Sequence, residues 1–214
     1  ITQEMFDDNL YSEIGLRRAQ SLAFSIRQTK EVVAANVLNR AFTAAYAGGD
    51  GLELCSELHV NKSGGTWANE LDTAADLSDT SLEQACIDIA GFTNDRGLTI
   101  KVLPKKLIIP PDLEFEAARI LKSIQQPGTA NNDINAIRVL GKIPQGYCVN
   151  HFLTDTDAFF IKTDAPEGLK LFQRKPMSFG VDNDFDTTNA KFKSSERFSV
   201  GWSDPRGIFG SPGA

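Results

Sequence analysis

A long helical pattern opens the chain. From Ser12 to about Phe42, apolar and small side chains recur at steps of three and four, with no glycine or proline after Gly15. The stripe consists of Leu22, Ile26, Thr29, Val33, Val37 and Ala41. This spacing predicts one amphipathic helix, and at about 1.5 Å per residue it would be roughly 40 Å long, more than a compact core of a hundred residues spans. The residues ahead of it, 1–6, favour a strand.

The middle of the chain predicts a loop region followed by two shorter helices. Residues 48–69 are punctuated by glycine and indicate an ordered loop or a pair of short strands. Ser78, together with the capping-box spacing of Thr80 and Glu83, predicts a helix over 78–92. Residues 98–109 favour one strand or two, after which Pro110-Pro111-Asp112 begins a third helix that ends at Gln126-Pro127-Gly128. A polar loop, 129–135, follows.

The last third of the chain changes to extended patterns. The predicted strands are 137–143, 147–153, 158–163, 169–181 and 191–202. The last two are about twice the usual strand length of roughly 5–6 residues. Joined near Asp182-Asn183-Asp184, they predict a two-stranded antiparallel ribbon, and the chain as a whole is predicted to have an α+β fold.

Composition excludes several classes of protein. The chain is 41% hydrophobic and 23% charged, which is typical of an ordinary globular protein. A net charge of -6 argues against a protein dedicated to nucleic-acid recognition. It is compatible with a container whose lining must not bind its polyanionic contents tightly. No apolar segment is long enough to span a membrane and no signal peptide is visible, so we expect a soluble protein made in the cytoplasm without a membrane partner.

The candidates for chemistry are few. Cys55, Cys86 and Cys148 are widely spaced and odd in number, which favours reduced and mostly buried thiols over disulfides or a zinc cluster. Cys55 and His59 are four residues apart and could form a thiolate pair or two metal ligands, but no third ligand lies nearby in sequence. A histidine with satisfied hydrogen bonds in a loop is the favoured interpretation, and a small Cys/His hydrolase is the remote alternative.

Two further motifs predict turns and not sites. Asp155 and Asp157 lack the glycine and glutamate that would complete a calcium loop, so they indicate a turn in which aspartate caps its own backbone. The glycines of 48–51 follow a helix and not a strand, which is the wrong context for a phosphate-binding loop. The sequence therefore predicts no catalytic, cofactor-binding or metal-binding residue, and no enzyme.

Fourteen phenylalanines are present, and many are concentrated in the strand-rich end. The group consists of Phe159, Phe160, Phe172, Phe179, Phe185, Phe192 and Phe198. Core packing is their favoured role. A minority on the long strands would instead meet neighbouring subunits, because a two-stranded ribbon has little core of its own.

Five phrases in order resemble one family, the major head proteins of tailed phages with the HK97 shell fold, in particular the branch of the Mu-like head subunit. The phrases are Ile1-Thr2-Gln3-Glu4 with Asp7-Asp8-Asn9 and Tyr11; Thr29-Lys30-Glu31 up to Phe42; Gly49-Asp50-Gly51 with Leu54-Cys55-Ser56, His59, Gly64-Gly65-Thr66 and Asn69; Leu107 to Glu114 with Ala117 to Leu121; and Gly201-Trp202 with Asp204 to Ser211.

The resemblance implies two domains. A peripheral domain would contain 1–77 and 165–201, with a spine helix at about 12–42 and long strands at about 169–181 and 191–202. An axial domain of mixed sheet and helices would contain 78–164 and 202–214. The N-terminal arm and extended loop of the family would precede Ile1 and are expected to be missing from this sequence.

The resemblance also implies a function. The chain would be a major capsid protein that self-assembles through pentamers and hexamers into the icosahedral head shell of a bacteriophage, located in the virion capsid and assembled in the host cytoplasm. Its partners would be further copies of itself, other head proteins such as portal, scaffold or decoration proteins, and packaged double-stranded DNA bound non-specifically. A bacterial nanocompartment shell of the same fold, similar to an encapsulin, is the alternative.

Overall fold

A computed structural model describes residues 1–8, 11–126 and 133–214 of the chain. Asn9 of the N-terminal phrase, the predicted helix stop at Pro127-Gly128 and residues 129–132 of the polar loop lie outside the described residues. The chain divides into two compact units. Unit 1 consists of Ile1–Ala34 and Leu171–Val200, and unit 2 consists of Ala35–Lys170 and Gly201–Ala214.

The N-terminal segment is helical. The strand predicted over residues 1–6 is wrong, because Gln3–Asp7 forms a short helix, α1. The Thr2 hydroxyl accepts a hydrogen bond from the Met5 amide, and Glu4 lies in the first turn, where a negative charge is favourable. These local polar contacts favour a helical turn over the extended conformation predicted from the sequence.

The long helix is present, with shorter bounds than predicted. A π-helical turn at Tyr11–Gly15 leads into α2, Leu16–Asn39, of 24 residues. The predicted apolar stripe holds only in part, because Thr29 and Val33 are exposed in the single chain. The fully buried line at the end of the helix is Ala35, Leu38 and Ala41, which belongs to unit 2.

Unit 1 also contains the ribbon. Strands β6, Leu169–Asn183, and β7, Ala190–Trp202, pair only with each other and extend for 15 and 13 residues. Their hairpin is closed by hydrogen bonds from the Asp184 amide to the Asn189 carbonyl and from the Thr188 amide to the Asp184 carbonyl, at 2.9 and 2.8 Å. The two long strands predicted from the sequence are therefore confirmed.

Unit 2 is built on a four-stranded sheet in the order β4-β3-β5-β8. The strands are β3, Pro104–Ile109; β4, Tyr147–Val149; β5, Phe159–Thr163; and β8, Ile208–Ser211. Only the β3–β4 pair is parallel. Leu107, Ile161 and Phe209 align across three neighbouring strands and are fully buried, so they form the centre of the main core.

Two helices cover the main core, and a third contributes to it. Helix α3, Asp79–Ala90, begins with a capping box, but its partners are Ser78 and Ser81 and not the predicted Thr80 and Glu83. The Ser78 hydroxyl accepts from the Ser81 amide at 3.1 Å, and the Ser81 hydroxyl accepts from the Ser78 amide at 2.9 Å. Helix α4, Glu114–Lys122, follows a 3-10 turn at Pro111–Leu113, as the two prolines predicted.

The strand predicted over 137–143 is wrong. Residues Ala136–Val139 form a short helix, α5, because Asn135 caps it. The Asn135 side-chain oxygen accepts from the Arg138 amide at 3.1 Å, and its side-chain nitrogen donates to the Ile120 carbonyl at 2.5 Å. The second hydrogen bond joins residues that are distant in sequence, so a local sequence pattern could not predict it.

The opposite face of the sheet is covered by a second apolar cluster. It consists of Leu38, Ala41, Leu54, Cys55, Ala158, Phe160 and Ile208, with Phe42 stacked on Phe160 at 5.5 Å between ring centroids. Strand β5 sends Phe159 and Ile161 to one cluster and Phe160 to the other. Between residues 48 and 69, β1, His59–Val60, and β2, Thr66–Trp67, form the pair of short strands that the glycine pattern allowed.

Candidate assembly surfaces

Apolar side chains on the ribbon are exposed. Phe172 is 62% exposed, Phe179 is 56% exposed and Phe185 is 96% exposed. Leu171, Met177, Val181 and Phe192 are exposed as well. Core packing, the role favoured from the sequence, is therefore wrong for four of the seven phenylalanines and correct for Phe159 and Phe160. Large exposed apolar surface is typical of a protein that associates with a partner.

The ribbon remains exposed because only one side of one strand is covered. Along β7, Ser194, Glu196, Phe198 and Val200 are half-buried, and the residues between them are exposed. Lys30 of α2 binds the Glu196 carboxylate at 2.5 Å and lies 5.3 Å from the centre of the Phe198 ring. Strand β6 is exposed along nearly its whole length. The outer face of the ribbon is therefore open to solvent in the single chain.

The outer face of the ribbon is basic. The two strands carry six basic and two acidic side chains, although the chain as a whole is acidic. Lys193, Ser195 and Arg197 alternate with the half-buried residues of β7 and are exposed. The Lys175 ammonium group lies 3.4 Å from the Ser195 hydroxyl, so it lies on the same face of the ribbon as Ser195. We call Lys175, Lys193 and Arg197 the basic face.

Unit 2 carries a groove of the opposite charge. It is an open groove of about 1030 Å³ with the carboxylates of Glu57, Glu70, Asp72 and Asp88 in its lining. Among the lining residues that the structure describes, none is lysine, arginine or histidine. Two exposed apolar side chains, Leu58 and Ile87, also line it. We call this surface the acidic groove.

Mutual repulsion and burial act on the carboxylates of the acidic groove. Partial burial raises the pKa of Glu70 from 4.5 to about 7, and the charges of Glu57 and Glu53 add to the effect. Burial also raises the pKa of Asp88, a hydrogen bond from Gln84 partly offsets this rise, and the charge of Asp72 adds a smaller upward shift. The groove therefore holds negative charges whose pairwise interactions are unfavourable and which a cation would relieve.

The raised pKa of Glu70 predicts a pH dependence of stability. The folded chain holds this proton more tightly than the unfolded chain, so the free energy of unfolding falls as pH rises from about 4.5 through about 7. Glu70→Gln is expected to stabilise the unassembled chain by about 1 kcal/mol at about pH 8, after allowing for solvent screening of a half-exposed group, and to have little effect below about pH 4.5.

Thermal unfolding of the unassembled variant and parent chains across this pH range measures the effect. Glu31→Gln, at an exposed position on α2, is the matched control and is expected to show no such pH dependence. Equal stabilisation by Glu70→Gln at both ends of the range would contradict the assignment.

A polar network around His59 fixes the loop between α2 and α3. The two ring nitrogens of His59 face the Asp50 carboxylate at 2.6 Å and the Asn69 side-chain oxygen at 3.0 Å. Its ring stacks on Trp67 at 4.8 Å, and the guanidinium group of Arg206 lies over Trp67 at 4.4 Å. The prediction of a histidine with satisfied hydrogen bonds is confirmed.

Asn69 is the centre of this network. The two N–H groups of its side chain are shared among the carbonyls of Leu54, Pro205 and Ile208 at 2.7, 3.0 and 3.0 Å, and its oxygen accepts from the Ser56 amide at 2.9 Å. The side chain is fully buried. No local sequence pattern indicates these roles of Asn69 and Arg206, because most of their partners are distant in the chain.

Cys55 is a core residue. Its thiol is fully buried, and burial raises its pKa, with Glu70 and Glu53 adding to the shift. Both ring nitrogens of His59 face other partners, so the geometry holds no thiol–imidazole pair. Gly210 makes room for the Cys55 thiol, since a Cβ atom there would lie 3.0 Å from it and from the rings of Phe42 and Phe160.

The remaining motifs are turns. The Asp155 carboxylate accepts from the Asp157 amide at 3.1 Å, as predicted for a capping aspartate. A Cβ atom on Gly48 would overlap the ring of Trp202, so this glycine allows a close tertiary contact, whereas Gly51 has a φ of 83° and serves the local backbone. Within residues 1–8, 11–126 and 133–214, no three histidine, cysteine or acidic side chains are grouped as a metal site would need.

Thiol labelling checks the environment of the cysteines. Cys55 and Cys86 are buried with raised pKa values, whereas Cys148 is exposed. We expect a disulfide reagent to label about one thiol per native chain and all three after denaturation, because thiolates react and buried thiols do not. Cys148→Ser is the control and is expected to abolish native labelling. Rapid native labelling of Cys55 would contradict its role as a core residue.

No helix in the described part of the chain has the length and apolar character needed to cross a membrane. The described residues do form exposed aromatic and oppositely charged surfaces. Such surfaces are typical of a protein that associates with other chains.

Comparison with known proteins identifies the family. The sequence model of the phage capsid protein family matches residues 1–210, and the chain therefore belongs to the phage capsid protein family. The family predicted from the sequence is confirmed at this level. None of the curated proteins matches the sequence significantly.

Solved structures show a similar fold at low sequence identity. A chain from Mycobacterium phage Che8 is 12% identical, with a TM-score of 0.52, and the comparison covers 100% of this chain and 69% of that one. A phage-related protein from Bordetella bronchiseptica is 11% identical, with a TM-score of 0.50 and coverage of 93% and 64%. The α+β class with a capsid-like fold is therefore confirmed.

A virus-like particle protein from Pyrococcus furiosus is 13% identical with a TM-score of 0.46, and the comparison covers 87% of this chain and 63% of that one. The chain thus spans less than two thirds of the length of this protein and of the Bordetella protein.

Proposed function

We propose that this chain forms the folded body of a major capsid protein that assembles through pentamers and hexamers into the icosahedral head shell of a bacteriophage. The observation that carries the proposal is the ribbon, whose apolar residues are exposed in the single chain of a phage capsid protein family member. A two-stranded ribbon of 15 and 13 residues is marginal alone in water, so neighbouring subunits would supply its missing layer.

The finer assignment is the HK97 shell fold, in its Mu-like branch. The long helix with the ribbon and the mixed sheet with its helices support it. In this proposal the ribbon belongs to a peripheral domain of residues 1–77 and 165–201, and the mixed sheet belongs to an axial domain of residues 78–164 and 202–214. Units 1 and 2 do not share these bounds, so the domain division stays a prediction.

The proposed role is mechanical and not enzymatic. Apolar surface contributes roughly 25 cal/mol per Å² removed from water, so each exposed ribbon side chain contributes a modest amount when a neighbour covers it. Symmetry repeats each contact between subunits throughout a shell, so many modest contributions add up to the stability of the whole shell. The proposed partners are other copies of the chain, head proteins such as portal, scaffold or decoration proteins, and DNA bound non-specifically, with assembly in the host cytoplasm.

Electron microscopy of the purified full-length protein tests the proposal. We expect closed particles with icosahedral symmetry that contain pentamers and hexamers. A preparation that remains a small monomer under all assembly conditions would overturn it. Particles isolated from cells are expected to contain phage head proteins and DNA, whereas an enclosed enzyme without DNA would identify a nanocompartment shell.

A further inference from the structure

The basic face of the ribbon lacks counter-charges. Among the residues that the structure describes, no carboxylate forms an ion pair with Lys175, Lys193 or Arg197. Lys193 and Arg197 point to the same side of β7, roughly 13 Å apart at the usual strand rise. The face therefore presents cations at the regular spacing of a β-strand.

The acidic groove also lacks counter-charges among its described lining residues. Its four acidic residues line one open groove without a lysine, arginine or histidine among the described lining residues, and Asp88 accepts a hydrogen bond from the Gln84 side-chain amide at 2.7 Å. Leu58 and Ile87 supply exposed apolar surface beside them. Lysine and arginine suit such a mixed surface, because their aliphatic stems pack on apolar groups while their charged ends reach carboxylates.

We propose that the basic face of the ribbon in one copy docks into the acidic groove of a second copy. The proposal rests on the proposed shell function and specifies one of the contacts by which copies assemble. In it, Lys193 and Arg197 lie against the carboxylates of Glu57, Glu70, Asp72 and Asp88 of the second copy, and their stems cover Leu58 and Ile87.

A second copy fits these surfaces better than nucleic acid does. Every copy carries one basic face and one acidic groove, so the two surfaces occur in equal number in any assembly of this chain. DNA would satisfy the cations of the ribbon but would leave the carboxylates of the groove unpaired. Opposite charges across an interface also fix its register and reject wrong partners.

Charge reversal in the full chain tests the contact. Lys193→Glu with Arg197→Glu, or Glu57→Lys with Asp72→Lys, is expected to raise the protein concentration needed for assembly by about tenfold or more, because like charges then face each other. All four residues are exposed, so the substitutions spare the cores. The variant with all four changes restores the charge pairing and is expected to assemble within about threefold of the parent chain.

Matched controls separate this contact from a general effect of net charge. Arg17→Glu with Arg27→Glu makes the same change in charge at exposed positions of α2, and is expected to leave assembly nearly unchanged. Adding this pair to the groove reversal restores the net charge without restoring the proposed pairing, and it is not expected to rescue assembly. Thermal unfolding of each unassembled chain checks that folding is intact.

Zero-length cross-linking of mixed light and isotopically heavy chains observes the contact directly. We expect mixed-isotope products that join Lys193 to Glu57, Glu70, Asp72 or Asp88. Shells that lack such products and tolerate both reversals would overturn the docking while leaving the shell function intact. Reversals that lower DNA retention alone would overturn it in favour of a DNA surface. A parent chain that forms no shells would overturn the shell function and the docking with it.

Discussion

Replacing Asn69 with alanine is expected to lower the free energy of unfolding by about 3–5 kcal/mol, since each buried group left without a hydrogen bond costs about 1–3 kcal/mol and water entering the gap recovers part of the loss. The substitution removes the partner of three carbonyl groups, of the Ser56 amide and of His59. These groups belong to the loop after α2 and to the C-terminal segment. The segment between residues 48 and 69 is expected to lose its fixed conformation.

Urea denaturation of the unassembled chain measures this effect. Asn183→Ala, at an exposed position beside the hairpin of the ribbon, is the matched control and is expected to change the free energy of unfolding by less than about 0.5 kcal/mol. Amide hydrogen exchange would localise the loss to Ser56 and its neighbours. Equal and small effects of the two substitutions would show that the network around Asn69 contributes little.

Replacing Phe209 with alanine is expected to destabilise the chain by about 3–5 kcal/mol, the usual range for a buried phenylalanine. Phe209 is fully buried in the main core beside Ile161, with which it pairs across β5 and β8. Its neighbour Ile208 points into the second cluster, so β8 contacts both apolar clusters. A cavity at residue 209 therefore weakens the edge of the sheet that joins them.

Phe185→Ala is the matched control for Phe209→Ala. It removes the same atoms from a side chain that is 96% exposed, and we expect a change in stability of less than about 0.5 kcal/mol. Urea denaturation of both variants makes the comparison. A large loss for Phe185→Ala, or a small one for Phe209→Ala, would contradict the burial described here.

Agreement between sequence and structure was best where a local pattern was sufficient. Helices α2 and α3, the start of α4 at the two prolines and the strands β6 and β7 follow from periodicity and end signals carried by neighbouring residues. The sequence favoured a hydrogen-bonded loop histidine over a Cys55–His59 site because no third ligand lies nearby, and the contacts of both side chains agree with that preference.

Two of the incorrect predictions, the strand at residues 137–143 and the full apolar stripe on α2, depend on contacts that no local window contains. Residues 137–143 alternate like a strand, but Asn135 caps a short helix while bonding to Ile120. The error in the capping box is different, because it involves a local choice: Ser81 bonds Ser78 and also donates to the Asp76 carbonyl at 2.8 Å. The predicted stripe on α2 included Val33, which is exposed in the single chain. The helical period sets which residues share a face, whereas burial depends on whether another element covers that face.

By itself, the sequence determined the long helix, the long strands, the mixed α+β class and the resemblance to phage head proteins, because periodicity, end signals and ordered phrases are properties of neighbouring residues. The tertiary structure decided which apolar residues are covered. Phe160 and Phe172 have the same side chain. Phe160 is buried in the second apolar cluster, whereas Phe172 is exposed on the ribbon, which has no second layer over that strand. Burial requires a second layer, and the residues that supply it are distant in the chain, so the assembly surfaces emerged only from the fold.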